Sequence, residues 1–141
     1  MAKAESTLQM NAAPAKVMAV IADFASYPAF LPEIRGVEIL SSEAGISTVR
    51  FDLQMIMKVS YTLVLTQTGD ASLSWELSDS KLMKTNSGSW KLHDNGDGTT
   101  DVTYGIELEL AGKLPPSVNK RMAGQTLPDT LGRFKARVES L

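Results

Sequence analysis

Asp101-Val102-Thr103-Tyr104-Gly105-Ile106-Glu107-Leu108-Glu109-Leu110 is the stretch on which the reading of this chain turns. Val102, Tyr104, Ile106, Leu108 and Leu110 alternate with Thr103, Glu107 and Glu109, the period of two expected of a strand with one buried face. Beyond it the period reverts to that of a helix. Leu127, Leu131, Phe134, Val138 and Leu141 are spaced four, three, four and three, which makes an apolar seam along one side of a long helix. A half-buried strand and a half-buried helix at the same end of a chain each need an apolar partner, and each can supply the other's.

Working backwards from Asp101, the same alternation recurs as far as Gly36. Val37 and Ile39 flank Glu38. Val49, Phe51, Leu53, Met55 and Met57 alternate with Arg50, Asp52, Gln54 and Lys58. Val59, Tyr61, Leu63 and Leu65 alternate with Ser60, Thr62 and Thr66, and Leu73, Trp75 and Leu77 with Ser74, Glu76 and Ser78. Trp90 and Leu92 alternate with Lys91 and His93. Glu43-Ala44-Gly45, Gly69-Asp70 and Asn95-Gly96-Asp97-Gly98 fall between these runs and read as turns. Six consecutive strands joined by short turns imply an antiparallel sheet with one buried face. Ahead of them, Ser6 to Met10 reads as a first strand. Pro14 opens a helix that carries Val17, Met18, Val20, Ile21 and Phe24 on one face, and Pro28 to Leu31 leaves room for a single further turn. Pro128 predicts a kink near Gln125 to Leu127, because proline lacks the amide hydrogen and crowds the preceding turn.

With 141 residues the chain is expected to be a single domain, residues 1–141. The absence of cysteine excludes disulfide scaffolds, thiol catalysis and cysteine-ligated metals, and a single histidine removes most imidazole-based schemes. No metal or cofactor is expected. Fourteen basic against 16 acidic residues argue against DNA binding. The first eleven residues lack the apolar core of a signal peptide and no stretch is long enough to span a membrane, so the expected location is cytoplasmic.

The order strand, two short helices, six strands and a long helix is an α+β pattern. It resembles the helix-grip fold of START-like proteins, the SRPBCC superfamily, in which a twisted seven-stranded antiparallel sheet wraps around a long C-terminal helix. The run from Tyr27-Pro28-Ala29-Phe30-Leu31-Pro32 to Ile39 is similar to the segment after the first helix in the polyketide cyclase/dehydrase and coenzyme Q-binding group. So is Leu82 to Leu92, where Gly88-Ser89-Trp90 matches a small residue, any residue, then tryptophan. The resemblance implies a cavity between sheet and helix that holds a hydrophobic small molecule: a lipid, a quinone or other isoprenoid, or a polyketide-like compound.

Strand parity and the helical seam nominate the wall of that cavity. Phe51, Met55, Met57, Tyr61, Trp75, Trp90 and Tyr104 share the inner face of the sheet, and Met122, Leu131 and Phe134 face it from the helix. The same pattern would serve a solid core. Only Tyr61 and Tyr104 place ionisable groups on that face, and they are the candidates for a proton donor if the protein is an aromatase/cyclase or dehydratase. His93 falls on the opposite face. Arg50, Asp52 and Lys58 share the polar side of one strand and read as a solvated surface. Asp94 to Gly98 lacks the spacing of a calcium loop and reads as a turn. Charge is uneven: Lys113 to Leu141 carries +4 and the rest of the chain −6. Arg133, Lys135 and Arg137 complement a helix C-terminus, or else form a face toward an anionic membrane or the ribosome, as in ribosome-associated relatives. Oligomeric state is not readable from the sequence.

Overall fold

The computed structural model describes residues 2–54, 58–111 and 127–141. The strands are β1 (Ala2–Met10), β2 (Ile34–Glu43), β3 (Ile46–Gln54), β4 (Lys58–Thr68), β5 (Ser72–Ser80), β6 (Met83–Asp94) and β7 (Thr100–Leu110). Between β1 and β2 lie α1 (Pro14–Ile21), a 3₁₀ turn (Phe24–Ser26) and α2 (Tyr27–Phe30), and α3 (Leu127–Ser140) follows the sheet. Every neighbouring pair is antiparallel, in the order β1-β7-β6-β5-β4-β3-β2. Each hairpin pairs with the next, and β1 adds to the outside of β7, so α1 and α2 must carry the chain from one edge of the sheet to the other. This is the helix-grip arrangement.

The sheet curves because it is interrupted. Register shifts fall between Ile34 and Gly36 and between Ile39 and Ser41 on β2, between Thr62 and Leu63 on β4, and between Met83 and Thr85 on β6. Such irregularities sharpen local twist and bend a strand. The concave side then holds the core, where Val49, Phe51, Leu63, Leu65, Leu73, Trp75, Trp90 and Val102 meet Val17, Met18, Val20 and Ile21 of α1. Leu131, Phe134 and Val138 of α3 join the same cluster, and α3 lies against β1, α1 and α2. Its far end is tied down: the Asn11 amide donates to Glu139 Oε2 at 2.9 Å, and Lys16 Nζ donates to the main-chain oxygen of Leu141.

Three local readings differ from the structure. β1 begins at Ala2 instead of Ser6, because pairing along β7 up to Leu108 extends it where alternation is weak. The first helix stops at Ile21, short of Phe24. Asp23 leaves helical geometry, at φ −87° and ψ 71°, and a separate 3₁₀ turn returns Phe24 to the core at the spacing a continuous helix would have given. Ile39 does not reach the core and stays 47% exposed at the sheet's outer edge, where β2 is irregular. Of the kink expected near Gln125 to Leu127, all but Leu127, the first residue of α3, lies outside the described residues.

Candidate functional site

Cross-strand pairing brings the large rings of the concave face together. Phe51 of β3 and Tyr61 of β4 are register partners, with ring centroids 5.5 Å apart and planes at 26°. Trp90 of β6 and Tyr104 of β7 are partners too, at 4.6 Å and 60°. Trp75 of β5 lies opposite Gly88 of β6 and tilts over Tyr104 at 5.5 Å. Glycine is required at that position. A Cβ on Gly88 would sit 2.6 Å from Trp75 Cζ2 and 2.2 Å from the Gly105 carbonyl oxygen. The small residue two places before Trp90 therefore makes room for the other indole. Helices close the ring of aromatics: Tyr27 of α2 stacks on Phe51 at 5.9 Å, and Phe134 of α3 meets Trp90 edge-on at 4.8 Å.

These rings do not fill the space they surround. A cavity of about 150 Å³ remains, walled also by Leu63, Leu65, Ile106 and Leu108 and reached by Leu31 from the loop before β2, Ile34 at the start of β2 and Leu53 near the end of β3. Half-buried Glu33 and Thr130 line it as well. Among the described lining residues there is no lysine, arginine or histidine.

The polar groups in the wall divide into those satisfied by the protein and those left for something else. Trp75 Nε1 donates to Asn86 Oδ1 at 2.9 Å, and the Asn86 amide nitrogen reaches Met83 Sδ at 3.6 Å. The Tyr27 hydroxyl donates to the Ile21 carbonyl. Tyr61 and Tyr104 differ: neither hydroxyl has a hydrogen-bond partner among the described residues, and both residues border the cavity. Burial pushes the ionisation of Tyr27, Tyr61 and Tyr104 above the ordinary tyrosine range, and a phenolate at Tyr104 would raise Tyr61 further. All three therefore stay protonated at neutral pH. A phenol so shifted is a poorer acid than free tyrosine, although it remains a good hydrogen-bond donor.

Phe51, Tyr61, Trp75, Trp90, Tyr104 and Phe134 thus border one cavity. Leu131 is buried in the adjoining core, 2% exposed, and is not part of the cavity wall. Met55, Met57 and Met122 lie outside the described residues. His93 is exposed on the convex face, and Asp52 there accepts from Ser60 Oγ at 2.7 Å with Arg50 3.6 Å away. Among the described residues no cluster of three acidic or imidazole groups could hold a metal ion, and no helix is long and apolar enough to cross a membrane.

Sequence reasoning missed Tyr27, Asn86, Met83 and Glu33. Asn86 left a signal, since it shares the parity of Trp90 and is a polar residue on an apolar face. Met83 left none, because the register shift beside it turns an odd-numbered side chain to the face of even-numbered ones. Tyr27 and Glu33 lie in or beside a one-turn helix, where periodicity has no length over which to show.

Solved structures with the same arrangement are numerous. A START superfamily protein from Mycobacterium smegmatis superposes with a TM-score of 0.86 at 20% identity, over 98% of this chain and 97% of its own. The Zhui aromatase/cyclase from a Streptomyces species gives 0.84 at 17% identity, over 97% and 93%. A STAR-related lipid transfer protein from Xanthomonas axonopodis gives 0.77 at 17% identity, over 97% and 85%. No curated protein matches the sequence. The profile of one family, described as polyketide cyclase / dehydrase and lipid transport, matches residues 1–139. The chain belongs to that family.

Proposed function

We propose that this protein binds or carries a hydrophobic small molecule in the cavity between the sheet and α3, a lipid, isoprenoid or polyketide-like compound, without transforming it. The observation that carries the reading is the wall itself: seven aromatic side chains and a set of aliphatic ones around about 150 Å³, with the Tyr61 and Tyr104 hydroxyls and the Glu33 side chain among its few polar groups. Sites for apolar ligands have this composition, a greasy lining with a few polar groups that fix orientation. Removing a ligand's apolar surface from water is worth about 25 cal/mol per Å², which is the whole mechanism a carrier needs.

The aromatase/cyclase reading has weaker support. It would make Tyr61 or Tyr104 a proton donor, yet burial moves both phenols away from neutral pH, and the one imidazole, His93, is on the far face. The reading of α3 as a contact for anionic membrane or ribosome is weaker again. Lys135 Nζ lies 4.0 Å from Glu139, and Arg137 lies over the Phe30 ring at 5.5 Å, so two of its three cations are engaged within the molecule.

Native mass spectrometry of protein purified from its own host tests the reading. The expected result is an adduct of one small molecule per chain, lost on solvent extraction, whose return shifts tryptophan emission, since both tryptophans border the cavity. Absence of any adduct, together with unchanged emission across a panel of lipids and quinones, would overturn it.

A further inference from the structure

We propose that the cavity takes an uncharged, ring-sized group bearing a hydrogen-bond-accepting oxygen, held by the hydroxyls of Tyr61 and Tyr104, and that it rejects carboxylates of the same shape. The inference rests on the binding reading above and narrows its ligand class. Size comes first. The volume of about 150 Å³ matches that of apolar protein cavities that take up benzene, so the space between the rings holds one ring-sized group.

Donors come next. Of the chain's three tyrosines, all of which border the cavity, Tyr27 already donates to Ile21. Tyr61 and Tyr104 have no partner among the described residues, and an acceptor delivered by a ligand would satisfy an O–H that the wall leaves unmet. A carbonyl or ether oxygen suits two phenols that are both held in the protonated, donating form.

Charge settles the rest. A carboxylate entering this space loses its hydration, finds no cation among the described lining residues, and meets the Glu33 side chain at the loop before β2. Burying an unpaired charge costs far more than two hydrogen bonds return.

Acetophenone, ethylbenzene and benzoate separate these terms, because they share a ring and nearly a size but differ in acceptor and charge. Titrations at neutral pH are followed through the indole N–H resonances of Trp75 and Trp90. Acetophenone is expected to bind about five- to tenfold more tightly than ethylbenzene, the net worth of one neutral hydrogen bond. Benzoate is expected to bind at least about thirtyfold more weakly than acetophenone. Tyr61→Phe with Tyr104→Phe should equalise acetophenone and ethylbenzene while leaving ethylbenzene bound. The unmutated chain alone already decides the matter if the double variant does not fold. Equal affinity for ketone and hydrocarbon overturns the donor assignment, and benzoate binding as well as acetophenone overturns the exclusion of charge. No indole shift with any of the three overturns the binding reading itself.

Discussion

Gly88 and Asn86 do opposite things for Trp75, and each can be tested by one substitution. Gly88 provides space: an added methyl would stand 2.2 Å from a backbone oxygen that cannot swing away and 2.6 Å from the indole. Gly88→Ala should therefore lower stability by about 1–3 kcal/mol, the usual range for overpacking, read as a lower urea midpoint at unchanged slope. Asn86 provides an acceptor. It is 3% exposed, so Asn86→Leu leaves the Trp75 N–H buried without a partner, at about 1–3 kcal/mol. Trp75→Phe removes the donor as well. In the double variant the two losses should fall short of their sum, and strict additivity would mean that the Trp75–Asn86 bond contributes nothing.

α3 shows at the scale of an element what the sequence makes legible and what it does not. Its seam is visible in the spacing of Leu131, Phe134 and Val138, and all three are at most 2% exposed. Which of them borders the cavity is another matter. Phe134 does and Leu131 does not, because neighbours on one helical stripe point to different places once the sheet curves beneath them. Strand parity likewise gathers Phe51, Tyr61, Trp75, Trp90 and Tyr104 on one face, since a period of two fixes sides regardless of curvature. It says nothing of the bulge that turns Met83 inward, nor of whether the rings close on one another or leave a gap. A gap is a difference between two volumes, and no pattern of residue types records it. The helix offers a direct test. Phe134→Ala should lose about 3–5 kcal/mol and enlarge the cavity, so that saturating ethylbenzene raises its melting temperature more than that of the unmutated protein. Val138→Ala, on the same helix away from the cavity, should lose stability with no such gain. An equal response to ethylbenzene in both variants would separate α3 from the cavity.

Over the whole molecule, the three tyrosines make the cavity an instrument for its own integrity. No other residue of the chain is a phenol, so phenolate absorbance reports on this cavity alone. Burial raises all three ionisations in the folded state, whereas in the unfolded chain each titrates near the ordinary value of about 10. A raised native value means that the folded state holds protons the unfolded state has released. Stability from these groups is thus fully present below pH ~10 and is lost as pH climbs toward the native values. The slope is about 1.4 kcal/mol per pH unit for each phenol that ionises only on unfolding, so three together impose a steep decline. Base should accordingly unfold the protein in one step, with phenolate absorbance and loss of far-ultraviolet ellipticity rising at the same pH. In strong denaturant the same absorbance should rise near pH ~10 without a transition. A bound ring-sized neutral ligand should move the folded-state transition to higher pH, because it binds the folded chain and not the unfolded one. A phenol of the folded protein that titrates reversibly near pH ~10, ahead of any change in ellipticity, would show that at least one of these hydroxyls already faces water.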